Sequence, residues 1–553
     1  MTAASRREMS DYVWLFLFWA VATAYNLYKP YHIDDSAHLQ FAQTFMAHPL
    51  HPMTSTLNLG GAPEPIWHHN QPPLYFYLLG LWASVFGYSE PATHAFGALF
   101  AGAAIILFYR IASVLTPLHA LWLTGMMALG PAFIVNQNLM VDVPLLALWL
   151  LFFDALIVGA DSEEQFQRRR FLIAAGAASA AVLVKYSSLV LLPVLGAVLV
   201  VERRWRLLWI AGVPVAALAA WSLFNLIEYR HIHMLQRPMG IARKSWALPV
   251  MRFISVVVTL GGLTPLGLLV AAHLLPWCKR YVPLVYAVGI GALIGMAVVA
   301  LAGVAEGAVD LALRLCFLIN GALILLGVCV VVSRRLFGSA PLFIATPGNV
   351  RLLVLLLWVA GHIAFYSLFA PFMASRHVLL VLPALLLLCA MLWPVSLPRI
   401  DAAVGLGLTV AVTFMVGWAD WRFAAFFRDE ARSVVASLPA GSRIWFYGGW
   451  GWQWYAHGAG MVPVNIDKSL MQPGDYLVTS SDDLTPRALF TENRFHLQPM
   501  TLVRTDRKST GLPDLFCTAR YAHFYGVGYS WLPDGPWMLT DDCRNEIDIY
   551  RVN

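Results

Sequence analysis

QPPLYFYLLGLWASVFG, residues 71–87, decides how this chain is threaded. A helix crosses a bilayer with roughly 20 apolar residues. This run offers about 16 and opens on two prolines, with aromatic rings suited to the headgroup zone. If it crosses, every later loop changes sides. If it lies flat, the loops with Arg110, Arg168–Arg170, Arg203–Arg206, Lys279–Arg280, Arg334–Arg351 and Arg399 share a side with Arg6 and Arg7. That side then holds 15 Lys/Arg against nine outside within residues 1–420, and five of those nine fall in 225–252. Cytoplasmic loops are rich in Lys and Arg, so the flat, interfacial course is expected.

Outward from this stretch, thirteen runs are predicted to span: 11–28, 92–109, 118–135, 143–160, 171–184, 187–201, 207–224, 252–275, 281–303, 311–332, 352–370, 378–395 and 401–419. The 553 residues are 59% hydrophobic and 12% charged, against roughly 25% charged in soluble proteins. No soluble fold hides that much apolar surface, so the chain is a polytopic membrane protein. A soluble enzyme, a disordered chain and a fibre are excluded. The net charge of +6 reports orientation rather than nucleic acid. Arg6 and Arg7 precede a retained first span rather than a cleavable signal. The N-terminus is expected in the cytoplasm, and an odd number of spans puts the C-terminus outside. Residues 421–553 hold 27 charged residues of 133, and 1–420 hold 41 of 420. A boundary is therefore expected near Ala419–Arg422, between a transmembrane domain (1–420) and a C-terminal extracytoplasmic domain (421–553). The outer regions are 29–91, a loop at Asp142, a turn at Lys185, 225–251, a turn near Glu306–Asp310 and the turn 371–377.

Polar residues without a structural excuse gather in those regions. Asp34 and Asp35 follow the first span, and apolar residues at helical spacing come after them, so an amphipathic helix is predicted with Asp35 or Ser36 near its N-cap. The acids either cap that helix or supply a general base beside the membrane. His32, His38, His48, His51, His68 and His69 share the loop, without a standard zinc spacing. A divalent cation on Asp34, Asp35 and Asp142 is a softer alternative. Asp142, followed by Pro144, is a helix cap or a functional acid at a span mouth. Lys185 either snorkels or binds a lipid phosphate. Arg376 and His377 stand at another outer mouth, against the charge trend, where a forked guanidinium suits an anionic ligand. Arg230, His231, His233, Arg237, Arg243 and Lys244 form a further basic region, for lipid headgroups or the same ligand. Acids in two outer loops facing cations at several mouths suit a lipid-linked phosphate donor and an acid that deprotonates its acceptor.

These motifs resemble a known family. HIDDSAHLQFAQTF (32–45) is similar to the acidic first-loop motif of the GT-C membrane glycosyltransferases. HNQPPLYFYLLGLWASVFG (69–87) resembles the Pro-Pro-Leu-Tyr stretch of the protein O-mannosyltransferase and lipid A aminoarabinose transferase group, and NLMVDVPLLALWLLFF (138–153) its second acidic loop. KYSSLVLLP (185–193) and SRHVLLVLPALLLL (375–388) are similar to its later span starts. The resemblance covers about 1–400 in order. It implies a GT-C fold of about 13 helices, with interfacial helices in the first outer loop. It also implies inverting transfer of a sugar from a polyprenyl-phosphate donor to a hydroxyl or amine of a glycan, lipid or protein, with no nucleotide at the site. Asp34 would be the catalytic base, and Asp35 stands where a glutamate is frequent. Asp142 would lie on the acceptor or metal side, and Lys185 and Arg376 would face the donor phosphate. His38, His69, Arg237, Arg243 and His377 are further candidates. Some members use a divalent cation. The compact loops suit a bacterial inner membrane.

The tail reads as a small α/β domain, with SRIWFYGGWGWQWYAH (442–457) and GDYLVTS (474–480) as strand-rich segments. Trp450, Trp452, Trp454 and Tyr455 form a core or membrane-facing belt, or else a platform for sugar rings. Cys517 and Cys543 could close a disulfide in an oxidising compartment. Two other functions stay open: a transporter or flippase of a lipid-linked glycan, and a non-catalytic lipid-binding subunit. A transporter places its charges near the midplane and often shows repeats. Here the charges sit at outer mouths and no repeat is seen.

Overall fold

The computed structural model describes residues 3–58, 61–69, 71–161, 164–236, 246–274, 291–292, 294–299, 306–337, 346–393, 397–465, 468–480, 500–510, 516–518, 524–526, 528–540 and 543–553. The first half is helical: α1 (Ala3–Asn26), α2 (Asp35–Ala47), α3 (Leu74–Phe86), α4 (Glu90–Leu115), α5 (Ala120–Ala128), α6 (Pro131–Ile134), α7 (Asp142–Ile157), α8 (Glu164–Val184), α9 (Leu191–Val201) and α10 (Gly212–Tyr229). Then follow α11 (Ala247–Leu263), α12 (Gly267–Leu274), α13 (Glu306–Leu336), α14 (Pro347–Leu368), α15 (Ser375–Leu379), α16 (Leu382–Ala390), α17 (Arg399–Ser437) and α18 (Trp450–Gly458).

Among the described residues, five helices are long and apolar enough to cross a membrane, or six if the α11–α12 pair is one span. Several of the thirteen expected spans take other forms. The run 118–135 is broken into α5 and α6 at Gly130–Pro131, and 378–395 into α15 and α16 ahead of Pro383. Proline ends a helix because it lacks an N–H and clashes with the preceding turn. Pro265 acts likewise within 252–275, where α11 and α12 meet at 94°. Most of 281–303 lies outside the described residues. The 71–87 run forms α3, 13 residues and about 20 Å long, too short to cross. Tyr75, Phe76, Leu79 and Ala83 are its buried face, and Leu81, Val85 and Phe86 are exposed. Gly80 lets α2 close on α3, since a Cβ there would come within 2.9 Å of the Ala42 carbonyl oxygen.

α17 runs 39 residues without a break, so the boundary expected near Ala419–Arg422 falls inside a helix. Its first half packs beside α5 and α6, where Thr413 donates to the Leu129 carbonyl at 2.7 Å. Its second half enters the core of the tail, where Phe423, Phe427 and Val434 meet Phe446, Trp452, Val478 and Ile549. That core rests on a five-stranded sheet. Among the described residues the strands are β1 (Thr56–Asn58), β2 (Pro63–Pro65), β3 (Ile444–Tyr447), β4 (Val462–Pro463), β5 (Tyr476–Ser480), β6 (Met500–Ser509), β7 (Phe516–Cys517), β8 (Met538–Leu539) and β9 (Arg544–Val552). The order is β4-β3-β5-β9-β6; β3 is parallel to β4 and β5, and β9 antiparallel to β5 and β6. The expected strand signal holds for 444–447 and 476–480. Residues 450–458 are instead helical, because Trp452 and Ala456, four apart, share the buried face. Trp452 is core and Trp450 exposed. Cys517 and Cys543 are joined in a disulfide, with Cα atoms 5.7 Å apart.

Candidate active site

Four of the sequence candidates converge from four separate stretches. Asp142 opens α7 and is buried. Lys185, in the turn after α8, donates to Asp142 Oδ1 at 2.7 Å. Arg376, on the short helix α15, lies 3.6 Å from Asp142 Oδ2 through Nε and 3.4 Å from Asp34 Oδ2 through Nη2. Asp142 thus sits between two cations, and Asp34 approaches the second from the segment that joins α1 to α2. Burial lowers the Lys185 pKa, Asp142 opposes the shift, and the Arg376 charge adds to it. Two cations and two carboxylates thus meet here, and their charges balance.

The two adjacent acids differ sharply. Asp34 occupies the N-cap position of α2 without making a cap hydrogen bond, and its side chain is 25% exposed. Asp35 is fully buried. Its Oδ1 accepts the Leu139 N–H at 2.8 Å, and its Oδ2 accepts the His32 N–H at 3.1 Å. Burial opposes ionisation of Asp35, but the hydrogen bond and charge of His32 bring its pKa below the ordinary carboxylate value. Just before them, between His32 and Asp34, Ile33 takes φ 52°, a left-handed conformation that a β-branched residue adopts only under strain.

Beneath this turn is a buried cluster that the sequence reading did not single out. Asp420 of α17 pairs with Lys29, and His32 Nε2 lies 3.2 Å from Asp420 Oδ1. His32 Nδ1 lies 3.5 Å from Asp35 Oδ2. Tyr525, from the tail, donates to Asp420 Oδ1 at 2.5 Å and meets His32 Nε2 at 2.8 Å. Burial disfavours charge on His32, yet Asp420 and Asp35 raise its pKa above the ordinary value. With His32 charged, two cations balance two carboxylates. The available signal was Asp420 itself, an acid at the end of an apolar run.

The remaining candidates are packed nearby. His38 Nδ1 bonds the Leu139 carbonyl at 2.8 Å and its ring packs on Phe76. His69 stacks near Phe41, and its carbonyl accepts from His233 at 2.9 Å. His377 Nδ1 accepts the Ala374 N–H at 3.1 Å; burial, then the Lys185 and Arg376 charges, hold it well below its ordinary pKa, so it stands neutral. Arg237, Arg243 and Lys244 lie outside the described residues. Asp34, Asp35 and Asp142 are already engaged by other groups. Their contacts run to guanidinium, ammonium and amide N–H donors, and no cluster of three His, Cys, Asp or Glu side chains among the described residues has metal-binding form.

Apolar helices, several of them broken, surround this cluster, and the last long helix carries a small sheet domain. The chain is an integral membrane protein that resembles the GT-C membrane glycosyltransferases in fold. Residues 70–227 match the family model of dolichyl-phosphate-mannose-protein mannosyltransferase. ArnT from Cupriavidus metallidurans, solved bound to undecaprenyl phosphate, matches at 13% identity over 91% of this chain and 97% of its own, with a TM-score of 0.50. The Archaeoglobus fulgidus oligosaccharyltransferase, in complex with Zn and sulfate, matches at 12% over 84% and 68%, with a TM-score of 0.44. The S. cerevisiae protein O-mannosyltransferase Pmt1–Pmt2 complex, bound to the sugar donor, matches at 14% over 41% and 34%, with a TM-score of 0.30. No curated protein matches the sequence significantly.

Proposed function

We propose that this chain transfers a sugar, with inversion, from a polyprenyl-phosphate donor to a hydroxyl or amine acceptor on the extracytoplasmic side of a membrane, a bacterial inner membrane on the analogy of its compact loops. The observation that carries the reading is the meeting of Asp34, the least buried of the three acids, with Arg376, which shares Asp142 with Lys185. The bound undecaprenyl phosphate of the Cupriavidus ArnT structure supports the donor class. Asp34 takes the proton from the acceptor O–H or N–H. The freed electron pair attacks the anomeric carbon. The bond from that carbon to the phosphate oxygen breaks on the opposite face, through an oxocarbenium-like transition state, and its electrons leave with the polyprenyl phosphate. Lys185 and Arg376 stabilise the negative charge that grows there, and Asp142 orients both. Asp35, with both oxygens engaged, holds the turn that presents Asp34.

Purified protein is assayed in detergent with a panel of radiolabelled polyprenyl-phosphate sugars and membrane extract. Wild type transfers label from at least one donor, and Asp34→Asn loses about 100-fold or more of that rate. Equal rates remove Asp34 as the base. Lipid binding without transfer from any donor favours the transporter or assembly reading.

A further inference from the structure

The tail reaches back to the membrane site through residues 524–526. The Ser375 N–H donates to the Phe524 carbonyl at 2.9 Å, which fastens the segment to the start of α15. Tyr525 then touches both halves of the site. Its carbonyl accepts from Arg376 Nη1 at 3.4 Å, on the phosphate side. Its hydroxyl donates to Asp420 and meets His32, on the acid side. The ring of Tyr525 stands edge-on to His32, with centroids 5.3 Å apart.

We propose that Tyr525 is a positioning residue for the transfer reaction, a docked contribution of the C-terminal domain that holds the Asp34 turn and Arg376 in register. The inference rests on the function proposed above. Its physical basis is competition for one imidazole. Asp35 and Asp420 both draw on His32, and the contact to Asp35, at 3.5 Å, is the longer. The Tyr525 hydroxyl supplies Asp420 Oδ1 with a second proton and so reduces its pull on the ring. Burial and the Asp420 charge keep the phenol protonated and able to donate. Without that donor, the His32 ring moves toward Asp420 and away from Asp35, which keeps only its two backbone amide donors. The turn Asp35 holds is strained at Ile33, so it shifts when one of its three supports weakens. Asp34 is the next residue. A displacement of about 1 Å at a reacting group can cost about 100-fold in rate.

The test is Tyr525→Phe in the full-length protein, assayed with a donor that wild type uses. The backbone carbonyl on Arg376 remains, so the donor KM stays within about twofold while kcat falls about 10-fold. Thermal unfolding accompanies the kinetics, because a merely structural role would lower the melting temperature and leave kcat per folded molecule unchanged. An unchanged kcat, or a raised KM at constant kcat, overturns the proposal. If Tyr525→Phe does not fold, 3,5-difluorotyrosine at position 525 keeps the shape and changes only the acidity of the donor. A shifted kcat at constant KM then supports the proposal and an unshifted one overturns it. If wild type transfers from no donor, the proposed function has failed and this inference falls with it; an active wild type with an equally active variant defeats the inference alone.

Discussion

Asp142→Asn removes one negative charge from between two cations and leaves a side chain of the same shape. At an effective dielectric of about 20, the 2.7 Å contact with Lys185 carries about 6 kcal/mol of gross attraction, and the 3.6 Å contact with Arg376 about 5 kcal/mol. Desolvation of the three groups offsets most of this. Removing one partner of a buried pair costs about 3–5 kcal/mol. Lys185 is 18% exposed, so water screens part of the loss and the lower figure, about 3 kcal/mol, applies. For a chain of 553 residues that is a fall of about 3 °C in melting temperature. A polyprenyl phosphate restores the missing charge, so it stabilises the variant more than wild type. A tenfold tighter lipid contributes about 1.4 kcal/mol more. Differential scanning fluorimetry in detergent, with and without undecaprenyl phosphate, measures both terms. A variant as stable as wild type without lipid, and no more stabilised with it, would refute the reading of Lys185 and Arg376 as the cations of the donor-phosphate site.

Lys185→Met should weaken undecaprenyl phosphate binding by about 10- to 100-fold, read from the lipid concentration that half-saturates the thermal shift; unchanged affinity removes Lys185 from the donor site. His32 has a raised pKa in the fold, so its contribution to stability is complete below about pH 6.5 and is lost as pH rises through the folded value. Melting temperatures of wild type and His32→Gln should therefore converge as the pH is raised above about 6.5, and curves that stay parallel contradict the cluster. A Cβ on Gly261 would meet the Phe317 carbonyl and one on Gly321 the Val257 carbonyl, so α11 and α13 touch backbone to backbone. Gly321→Val should cost about 3 kcal/mol, and a wild-type melting temperature would show that the crossing is looser. Reduction of the Cys517–Cys543 bond, 26 residues apart, should cost the tail about 3–4 kcal/mol, visible as faster proteolysis there, and equal digestion rates would deny it.

The charged residues that the fold brings together were legible because charge in an apolar setting needs a reason. Asp34, Asp142, Lys185 and Arg376 were each chosen on that ground, and the fold brings them within hydrogen-bonding or ion-pairing distance of one another. The distinction between Asp34 and Asp35 was not legible. It depends on the Leu139 N–H and on His32, and no periodicity reports a partner 104 positions away. The His32–Tyr525 contact spans 493 positions and lies further still beyond local pattern. Breaks in the spans had a local signal in Gly130–Pro131, Pro265 and Pro383, but apolar length outweighed it. The 450–458 helix shows the usual ambiguity of a short aromatic run, settled here by tertiary packing.

α17 acts as a drive shaft. It carries no hinge between the membrane half that packs on α5 and α6 and the half that fills the tail, and Asp420 lies between them. Its pitch therefore sets the angular phase of everything beyond. One residue inserted after Val416 would rotate Asp420 and the whole tail by about 100° and lift them about 1.5 Å. Seven inserted residues would bring the face back to within about 20°, yet leave the tail about 10 Å too high. No insertion restores both angle and height, so any exchange of this tail for another must conserve the residue count of the shaft.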